Sequence, residues 1–232
     1  VISNQRHKFL IQEQLNSINK SHSSIILEPI QKNTAPALTL AAIHSLSISK
    51  DSLLICLPAD HLIENTSDFI DSLNKGISKA KDGSIVTFGI PPTEPKTGYG
   101  YIEYSNIEVD GSELIRFIEK PKKELALDMV NSGNYLWNSG IFMMRAETWI
   151  SLISQYSPSI LENCELAMEN SISEGEVISP DKAYMELCPN ISIDYAVMEK
   201  INSDINMKFN AWVIPINSGW SDVGTWKEIW NH

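Results

Sequence analysis

The stretch LLICLPADH, residues 53–61, decides how this chain is expected to fold. Its leading apolar residues are typical of a strand that is buried on both faces of a parallel sheet, and Pro58 ends that strand. Further apolar runs at 25–27 and 85–90 are separated from it by helical patterns. This alternation of strands and helices predicts an α/β fold with a Rossmann-like, mostly parallel open sheet and right-handed crossovers.

The helices on either side of this stretch have recognisable starts. We expect Thr34 to cap the preceding helix, with Pro36 in its first turn. We expect Ser67 to cap the following helix, over 68–81. A further amphipathic helix is predicted over 4–18, with an apolar face formed by Ile11, Leu15 and Ile18.

From Pro91 the pattern changes to antiparallel structure. Strands over 97–104 and 114–119 flank a turn at Asp110 and Gly111, and a long strand follows over 135–144. We therefore expect one domain over 1–232, in which residues 91–145 form an antiparallel part on the substrate side. The other predicted elements are helices over 122–131, 146–155, 158–170, 193–200 and from Asp222 onward, and a strand over 207–214.

The composition excludes several classes of protein. With 18 Lys and Arg against 29 Asp and Glu, the net charge of −11 argues against a protein that binds nucleic acid or anionic membranes. No apolar run approaches the roughly 20 residues that span a bilayer, and the first residues lack the apolar region of a signal peptide. Cys56, Cys164 and Cys188 are widely spaced, so they suggest neither a disulfide framework nor a zinc site, and a reducing cytoplasmic setting is expected.

Two aspartates follow predicted strands. Asp60 comes after the strand at 53–57, and Asp222 lies in the segment SGWSDVG that follows the strand at 207–214. Ligands of open parallel sheets bind beyond the carboxyl ends of the strands, and Mg²⁺ takes one or two carboxylates there. Taken singly, Asp60 fits a turn cap equally well and Asp222 fits a helix cap better, whereas the pair favours a metal site.

Three further segments carry candidate binding residues, each with a structural alternative. Glu119 and Lys120 are expected to project in opposite directions, where they could meet a sugar hydroxyl and a phosphate, although the two residues taken alone fit an exposed charge pair better. Gly98 and Gly100 allow a ligand to approach the backbone, or simply form a tight turn. Asn138, inside an apolar strand, either binds sugar hydroxyls or bridges a bulge.

Asp194 and Lys200 belong to the predicted helix over 193–200. Asp194 fits a structural cap better than a ligand contact, and Lys200 fits a phosphate contact and a solvent-exposed charge equally well. The histidines lack HExxH spacing, and the sequence has neither a Walker loop nor a GxSxG segment, so other common chemistries have no support.

Seven segments occur in one order along nearly the whole chain. They are EPIQKNTAPA (28–37), LPADH (57–61), GYGYI (98–102), FIEKP (117–121), NSGIF (138–142), SIDYAVMEK (192–200) and GWSDVG (219–224). Together they resemble the motifs of the bacterial mannose-1-phosphate guanylyltransferases, also called GDP-mannose pyrophosphorylases. The NTAPA and SIDYAVMEK segments are similar to the mannose and guanosine branch rather than to the glucose and thymidine branch.

The resemblance implies transfer of GMP from GTP to mannose 1-phosphate, giving GDP-mannose and pyrophosphate by in-line attack on the α-phosphorus. Such catalysis depends mainly on positioning and charge neutralisation. The resemblance further implies that Asp60 and Asp222 hold Mg²⁺ and that Lys120 contacts the sugar phosphate as a third catalytic residue. The residues implied for the nucleotide are Asn33, Thr34, Ala35, Pro36 and Ala59, and those implied for the substrate side are Gly100, Glu119, Asn138, Asp194 and Lys200.

One departure from the family pattern concerns the start of the sequence. The family opens with a strand and a glycine-rich loop that carries an Arg and wraps the triphosphate, and this sequence starts at Val1 without it. We therefore expect an incomplete catalytic core with unpaired sheet edges. The family's segment beyond the Asp222 motif, often a short β-helix, is also not in the sequence.

Alternative functions and partners follow from the same resemblance. The chain could act on another sugar 1-phosphate or base, or be a non-catalytic sugar-nucleotide-binding subunit. The expected partners are GTP, mannose 1-phosphate and GDP-mannose, with neither nucleic acid nor membrane. A homo-oligomer and a complementing N-terminal fragment are both left open.

Overall fold

The computed structural model describes residues 1–18, 24–106, 110–201 and 210–223. In chain order its strands are β1 (Ile2–Asn4), β2 (Ile25–Glu28), β3 (Leu53–Cys56), β4 (Leu62–Ile63), β5 (Ile85–Ile90), β6 (Tyr101–Tyr104), β7 (Ser112–Ile118), β8 (Tyr135–Arg145), β9 (Ile172–Glu174), β10 (Val177–Ser179), β11 (Ala211–Pro215) and β12 (Trp220–Ser221). Its helices are α1 (Lys8–Ser17), α2 (Thr34–Ile48), α3 (Thr66–Lys81), α4 (Lys123–Ser132), α5 (Ala146–Tyr156), α6 (Pro158–Glu169), α7 (Lys182–Leu187) and α8 (Glu199–Ile201). A 3-10 turn (Gln5–His7) precedes α1, and a π-helical turn (Asp194–Met198) precedes α8. None of the helices so described has the length and apolar character needed to cross a membrane.

The chain divides into two compact units. The first comprises Val1–Ser52 with Trp149–Val197, and the second comprises Leu53–Thr148 with Met198–His232. Each unit is therefore assembled from separate stretches of the sequence. The predicted last helix, and the start of the strand predicted over 207–214, lie outside the described residues.

The first unit contains a four-stranded sheet in the order β1-β2-β10-β9. β1 and β10 run parallel to β2, and β9 runs antiparallel to β10. Ile11 and Leu15 of α1 pack against the buried residues Ile25 and Leu27, which confirms most of the predicted apolar face. Ile18 lies beyond the helix end and is 60% exposed, so its predicted burial is wrong.

The second unit contains a six-stranded sheet in the order β3-β8-β5-β11-β7-β6, and β6 also pairs with β8. β11 runs parallel to β5, whereas the other pairs are antiparallel. Phe69, Leu73 and Ile77 of α3 pack against the core around Phe88 and Met143, as the sequence predicts.

The predicted α/β class is confirmed, while the expected sheet differs in its pairing. β2 belongs to the sheet of the first unit, and the long strand β8 lies between β3 and β5, antiparallel to both. The expected burial of 53–57 on both faces is also wrong, because β3 is terminal in the described sheet and Ile55 is 41% exposed. An apolar run does not identify the neighbours of a strand, and this explains the error.

Several predicted element starts are shifted. Asn33, not Thr34, caps α2 by accepting the Thr34 N–H at 2.9 Å, and it does so with φ 70° and ψ −172°, a combination that residues other than glycine rarely adopt. Asn65, not Ser67, caps α3 by accepting the N–H of Asp68. Asn4, the first residue of the predicted first helix, instead belongs to β1 and pairs with Glu28, and α1 begins only at Lys8.

Candidate active site

Asp60 and Asp222 lie on two loops of the second unit that are tied together. The loop after β3 carries Asp60 and leads into β4, which pairs with β12, and Asp222 directly follows β12. A side-chain hydrogen bond reinforces the pairing, because Trp220 Nε1 donates to His61 Nδ1 at 3.1 Å. Burial lowers the pKa of His61, and the charges of Asp60 and Asp222 both oppose that shift, so both carboxylates act on the same imidazole.

The exposure of the two carboxylates leaves them accessible to a cation that takes its other ligands from substrate and water. Asp60 is exposed and Asp222 is half-buried, so the oxygens of a ligand could complete a coordination shell. Within the described ranges, no group of three or more His, Cys, Asp or Glu side chains could hold a metal. Mg²⁺ is the ion that is typically bound by one or two carboxylates together with substrate phosphates and water.

Tyr99 contacts Asp222 directly, a contact that the sequence did not predict. Its hydroxyl donates to Asp222 Oδ1 at 3.0 Å, and Lys96 Nζ donates to the Tyr99 oxygen at 3.3 Å. Its ring packs edge-on against Trp137 and Trp220, with centroid distances of 5.2 and 5.9 Å. Burial raises the pKa of Tyr99 to about 12, with a contribution from the Asp222 carboxylate, so the phenol keeps its proton at neutral pH.

Gly100, Glu119 and Asn138, all predicted on the sugar side, lie together. A Cβ atom on Gly100 would stand 2.6 Å from Glu119 Oε2 and 3.3 Å from the Asn138 Cβ. The backbone N–H of Asn138 also donates to the Gly100 carbonyl at 2.8 Å. Gly100 therefore leaves the space that the Glu119 carboxylate occupies. Glu199 Oε1 accepts the Glu119 backbone N–H at 3.1 Å, and its position in the sequence gave no sign of this contact.

Asn138 lies at a bulge in β8. The pairing with β5 shifts register after Thr87, and Gly140 takes a φ of 74°. Asn138 Oδ1 accepts the Thr87 hydroxyl at 3.1 Å and the Gly140 N–H at 3.2 Å. The bulge alternative is thus confirmed. Because its oxygen is engaged twice, the amide of Asn138 is fixed in one orientation.

Glu119 and Lys120 do not project in opposite directions, so that prediction is wrong. Lys120 Nζ lies 3.2 Å from Glu119 Oε1. β7 ends at Ile118, and Lys120 has a φ of 46°, which breaks the alternation of side chains that holds along a strand. The pair is only partly exposed, since the Glu119 side chain is 9% accessible and that of Lys120 is 57% accessible.

The predicted nucleotide loop lies in the first unit. Asn33 and Thr34 are exposed, whereas Ala35 and Pro36 are buried. The Thr34 hydroxyl accepts the N–H of Ile193 at 2.9 Å, which fixes the start of α2. The other predicted residue of the first unit is Asp194, and those of the second unit are Ala59, Asp60, Gly100, Glu119, Lys120, Asn138, Lys200 and Asp222.

Cys164 and Cys188 meet in the first unit, although their spacing gave no sign of it. Their sulfurs are 4.0 Å apart and unbonded, and Cys164 Sγ also donates to the Pro36 carbonyl at 3.8 Å. Both side chains are buried. The bond to Pro36 places Cys164 beside the first turn of α2.

The chain matches the nucleotidyl transferase family model over residues 1–232 and belongs to that family. It is 44% identical, over 99% of its length, to the mannose-1-phosphate guanylyltransferase of Salmonella montevideo. It is 40% identical, over its whole length, to the alginate biosynthesis protein AlgA of Pseudomonas aeruginosa. The chain covers 48% and 47% of these relatives, so it spans about half the length of the curated proteins it matches.

A solved structure supports the fold assignment. The chain is similar to a structure described as mannose-6-phosphate isomerase from Helicobacter pylori, with a TM-score of 0.83 and 32% identity. The match covers 95% of this chain and 82% of that one. This similarity confirms the predicted α/β fold, and the family model confirms that the chain is a nucleotidyl transferase.

Proposed function

We propose that this chain carries the nucleotidyl-transfer activity of a mannose-1-phosphate guanylyltransferase. In that reaction the phosphate oxygen of mannose 1-phosphate bonds to the α-phosphorus of GTP, and the bond to the β-phosphate oxygen breaks to release pyrophosphate. The names of the relatives support the choice of substrates. We propose the cytoplasm as the setting of this activity, in line with the reducing setting expected from the cysteine pattern.

The observation that carries this proposal is one arrangement in the second unit. The loops of Asp60 and Asp222 are tied together by the pairing of β4 with β12. Tyr99, which bonds to Asp222, is followed directly by Gly100, which packs against Glu119. Tyr99 and Gly100, which are adjacent in the chain, thus connect the proposed metal-binding residue Asp222 with Glu119, the residue proposed to bind the sugar.

Roles for the remaining residues follow from their contacts. Mg²⁺ bound by Asp60 and Asp222 would supply positive charge to the phosphates of the substrates. Lys120 would neutralise the sugar phosphate while its neighbour Glu119, held by Lys120 and by its own backbone bond to Glu199, accepts sugar hydroxyls. The remaining proposed contacts, which rest on the resemblance, are Asn33, Thr34, Ala35, Pro36 and Ala59 for the nucleotide and Asn138, Asp194 and Lys200 for the substrate side.

A pyrophosphate-release assay tests the proposal. We expect slow, Mg²⁺-dependent release that is fastest with GTP and mannose 1-phosphate in a panel of nucleotides and hexose 1-phosphates. Asp222→Asn should lower the rate by about 100-fold or more, because it removes a metal-binding charge. Asp128→Asn, which changes an exposed aspartate on α4, is the matched control and should leave the rate unchanged.

Two other results would replace the proposal. Faster release with another sugar or base would assign a related sugar-1-phosphate nucleotidyltransferase. Binding of GDP-mannose that is insensitive to Mg²⁺ and to Asp60→Asn, without turnover of any pair, would assign a non-catalytic sugar-nucleotide-binding subunit.

A further inference from the structure

We propose that Tyr99, supported by Lys96, is a positioning residue that holds the Asp222 carboxylate in the orientation needed to bind the metal. This inference rests on the proposed function, because it takes Asp222 as a metal-binding residue. It adds two side chains that neither the family motifs nor the relatives' names assign to the metal site.

A chain of two hydrogen bonds leads from the Lys96 ammonium through the Tyr99 hydroxyl to the Asp222 carboxylate. The Lys96 ammonium can only donate, so it donates to the Tyr99 oxygen at 3.3 Å, and the Tyr99 hydroxyl is left to donate to Asp222 Oδ1 at 3.0 Å. Donors in such a chain polarise one another, so each bond strengthens the next. One oxygen of Asp222 is thereby fixed, and the rotation of the carboxylate is restricted.

Aromatic packing keeps Tyr99 itself in place. Its ring meets Trp137 at an interplanar angle of 74° and Trp220 at 72°, both edge-on contacts of a favourable kind. Lys96 Nζ also lies 4.9 Å from the centre of the Tyr99 ring. The Tyr101 hydroxyl, in turn, donates to the Lys96 carbonyl at 2.9 Å, which anchors the backbone that bears the lysine.

The position of Asp222 explains why it needs such support. It follows a strand of only two residues, and the next residue, Val223, has a φ of 46°, which a β-branched residue rarely adopts. Asp222 therefore does not lie in a long strand or helix whose backbone would fix the direction of its side chain. A carboxylate that binds a metal is usually held by a further hydrogen bond, and loss of that bond typically weakens metal affinity by about 10-fold to 100-fold.

Tyr99→Phe removes the hydroxyl and keeps the aromatic packing, so it isolates the hydrogen bond. Tyr104→Phe is the matched control, because it removes a phenol-to-carbonyl bond of 2.9 Å, to Gly133, at a position outside the candidate site. Mn²⁺ serves as the probe for the Mg²⁺ site, and electron paramagnetic resonance measures the free ion in the presence of GDP-mannose. Thermal melting of each variant reports stability separately.

We expect the wild-type protein and Tyr104→Phe to bind Mn²⁺ equally, Asp222→Asn to lose that binding, and Tyr99→Phe to bind about 10-fold more weakly. In the pyrophosphate assay, Tyr99→Phe should need about 10-fold more Mg²⁺ for half-maximal rate and approach the wild-type kcat at saturating Mg²⁺. A role in stability alone would lower the melting temperature and leave the Mn²⁺ affinity unchanged.

The inference is overturned if Tyr99→Phe binds Mn²⁺ as tightly as the wild-type protein, or if Asp222→Asn and the wild-type protein do not differ. Failure of the proposed function gives a different pattern. In that case the Mn²⁺ affinities separate as expected, while no pyrophosphate is released from GTP and mannose 1-phosphate.

Discussion

Glu28 is a carboxyl group that the first unit buries almost completely. It is 6% exposed at the end of β2, and its Oε1 has no hydrogen-bond partner in the described part of the chain. Burial raises the pKa of Glu28 from 4.5 to about 7, although the Lys32 backbone N–H partly opposes the shift. The carboxyl group of Glu28 therefore binds its proton more tightly in the folded protein than in the unfolded chain.

This difference predicts how stability varies with pH. The contribution of Glu28 is fully favourable below the unfolded pKa of 4.5 and is lost as the pH rises through about 7. Glu28→Gln, which keeps the shape and cannot ionise, should flatten this part of the decline in melting temperature between about pH 5 and about pH 8. Glu162→Gln, on the exposed side of α6, is the control. A Glu28→Gln melting profile parallel to that of the wild-type protein would contradict the assignment.

The bulge in β8 shows how a strand can serve both the core and the site. The Ser139 hydroxyl donates to the Phe88 carbonyl at 2.6 Å and accepts the N–H of Ile141 at 3.2 Å, where the register of β5 and β8 shifts. These bonds replace the ladder bonds that the bulge interrupts. They allow Asn138 to face Gly100 while the rest of β8 stays in the sheet.

Ser139→Ala should therefore destabilise the protein without changing its surface. It leaves a buried carbonyl and a buried N–H without their partner, a loss of about 1–3 kcal/mol. Urea denaturation measures this change. Ser132→Ala removes a hydroxyl-to-carbonyl bond at the exposed end of α4 and should cost less than about 0.5 kcal/mol. Equal losses in the two variants would show that the bulge does not depend on Ser139.

The elements that the sequence predicted best are those whose pattern is long. α3 and β5 lie close to their predicted positions. A repeated helical period, as in α3, or a mostly apolar run, as in β5, is compatible with few other secondary structures at that length. β4 and β12 have two residues each and exist because their backbones pair with each other. Strands of that length carry no periodicity, so no local pattern could have predicted them.

The candidate site, too, was predicted only in part from the sequence. Gly100, Glu119 and Asn138 were proposed from ordered motifs, and the structure brings them together. The contacts of Tyr99 with Asp222 and of Glu119 with Glu199 join residues far apart in the chain. Which residue meets which across such distances depends on how the strands pair, and the expected mostly parallel pairing was partly wrong.

At the scale of the whole molecule, each unit depends on stretches that are separated in the sequence. β11 pairs with β5 on one side and β7 on the other, within a sheet whose remaining strands come from residues 53–148. It contributes Val213 and Ile214, which are 0% and 1% exposed. A core residue of that kind typically stabilises a protein by several kcal/mol.

We therefore expect the isolated segment Leu53–Thr148 not to fold cooperatively. Without β11, the facing edges of β5 and β7 are unpaired and the core beside Phe88 is exposed. Near-ultraviolet circular dichroism and a thermal melt of the segment, compared with those of the full chain, test this. A sharp melting transition in the isolated segment would show that β11 is dispensable.

The bond between His61 and Trp220 closes a chain segment of 159 residues. The entropy lost in closing a flexible loop of that length is about 4–5 kcal/mol, which must be offset by structure formed earlier. We therefore expect the paired loops of Asp60 and Asp222 to form late in the folding of the second unit. During synthesis, Asp60 leaves the ribosome well before its partner loop, so the nascent chain cannot form the proposed metal site until Trp220 and Asp222 have followed.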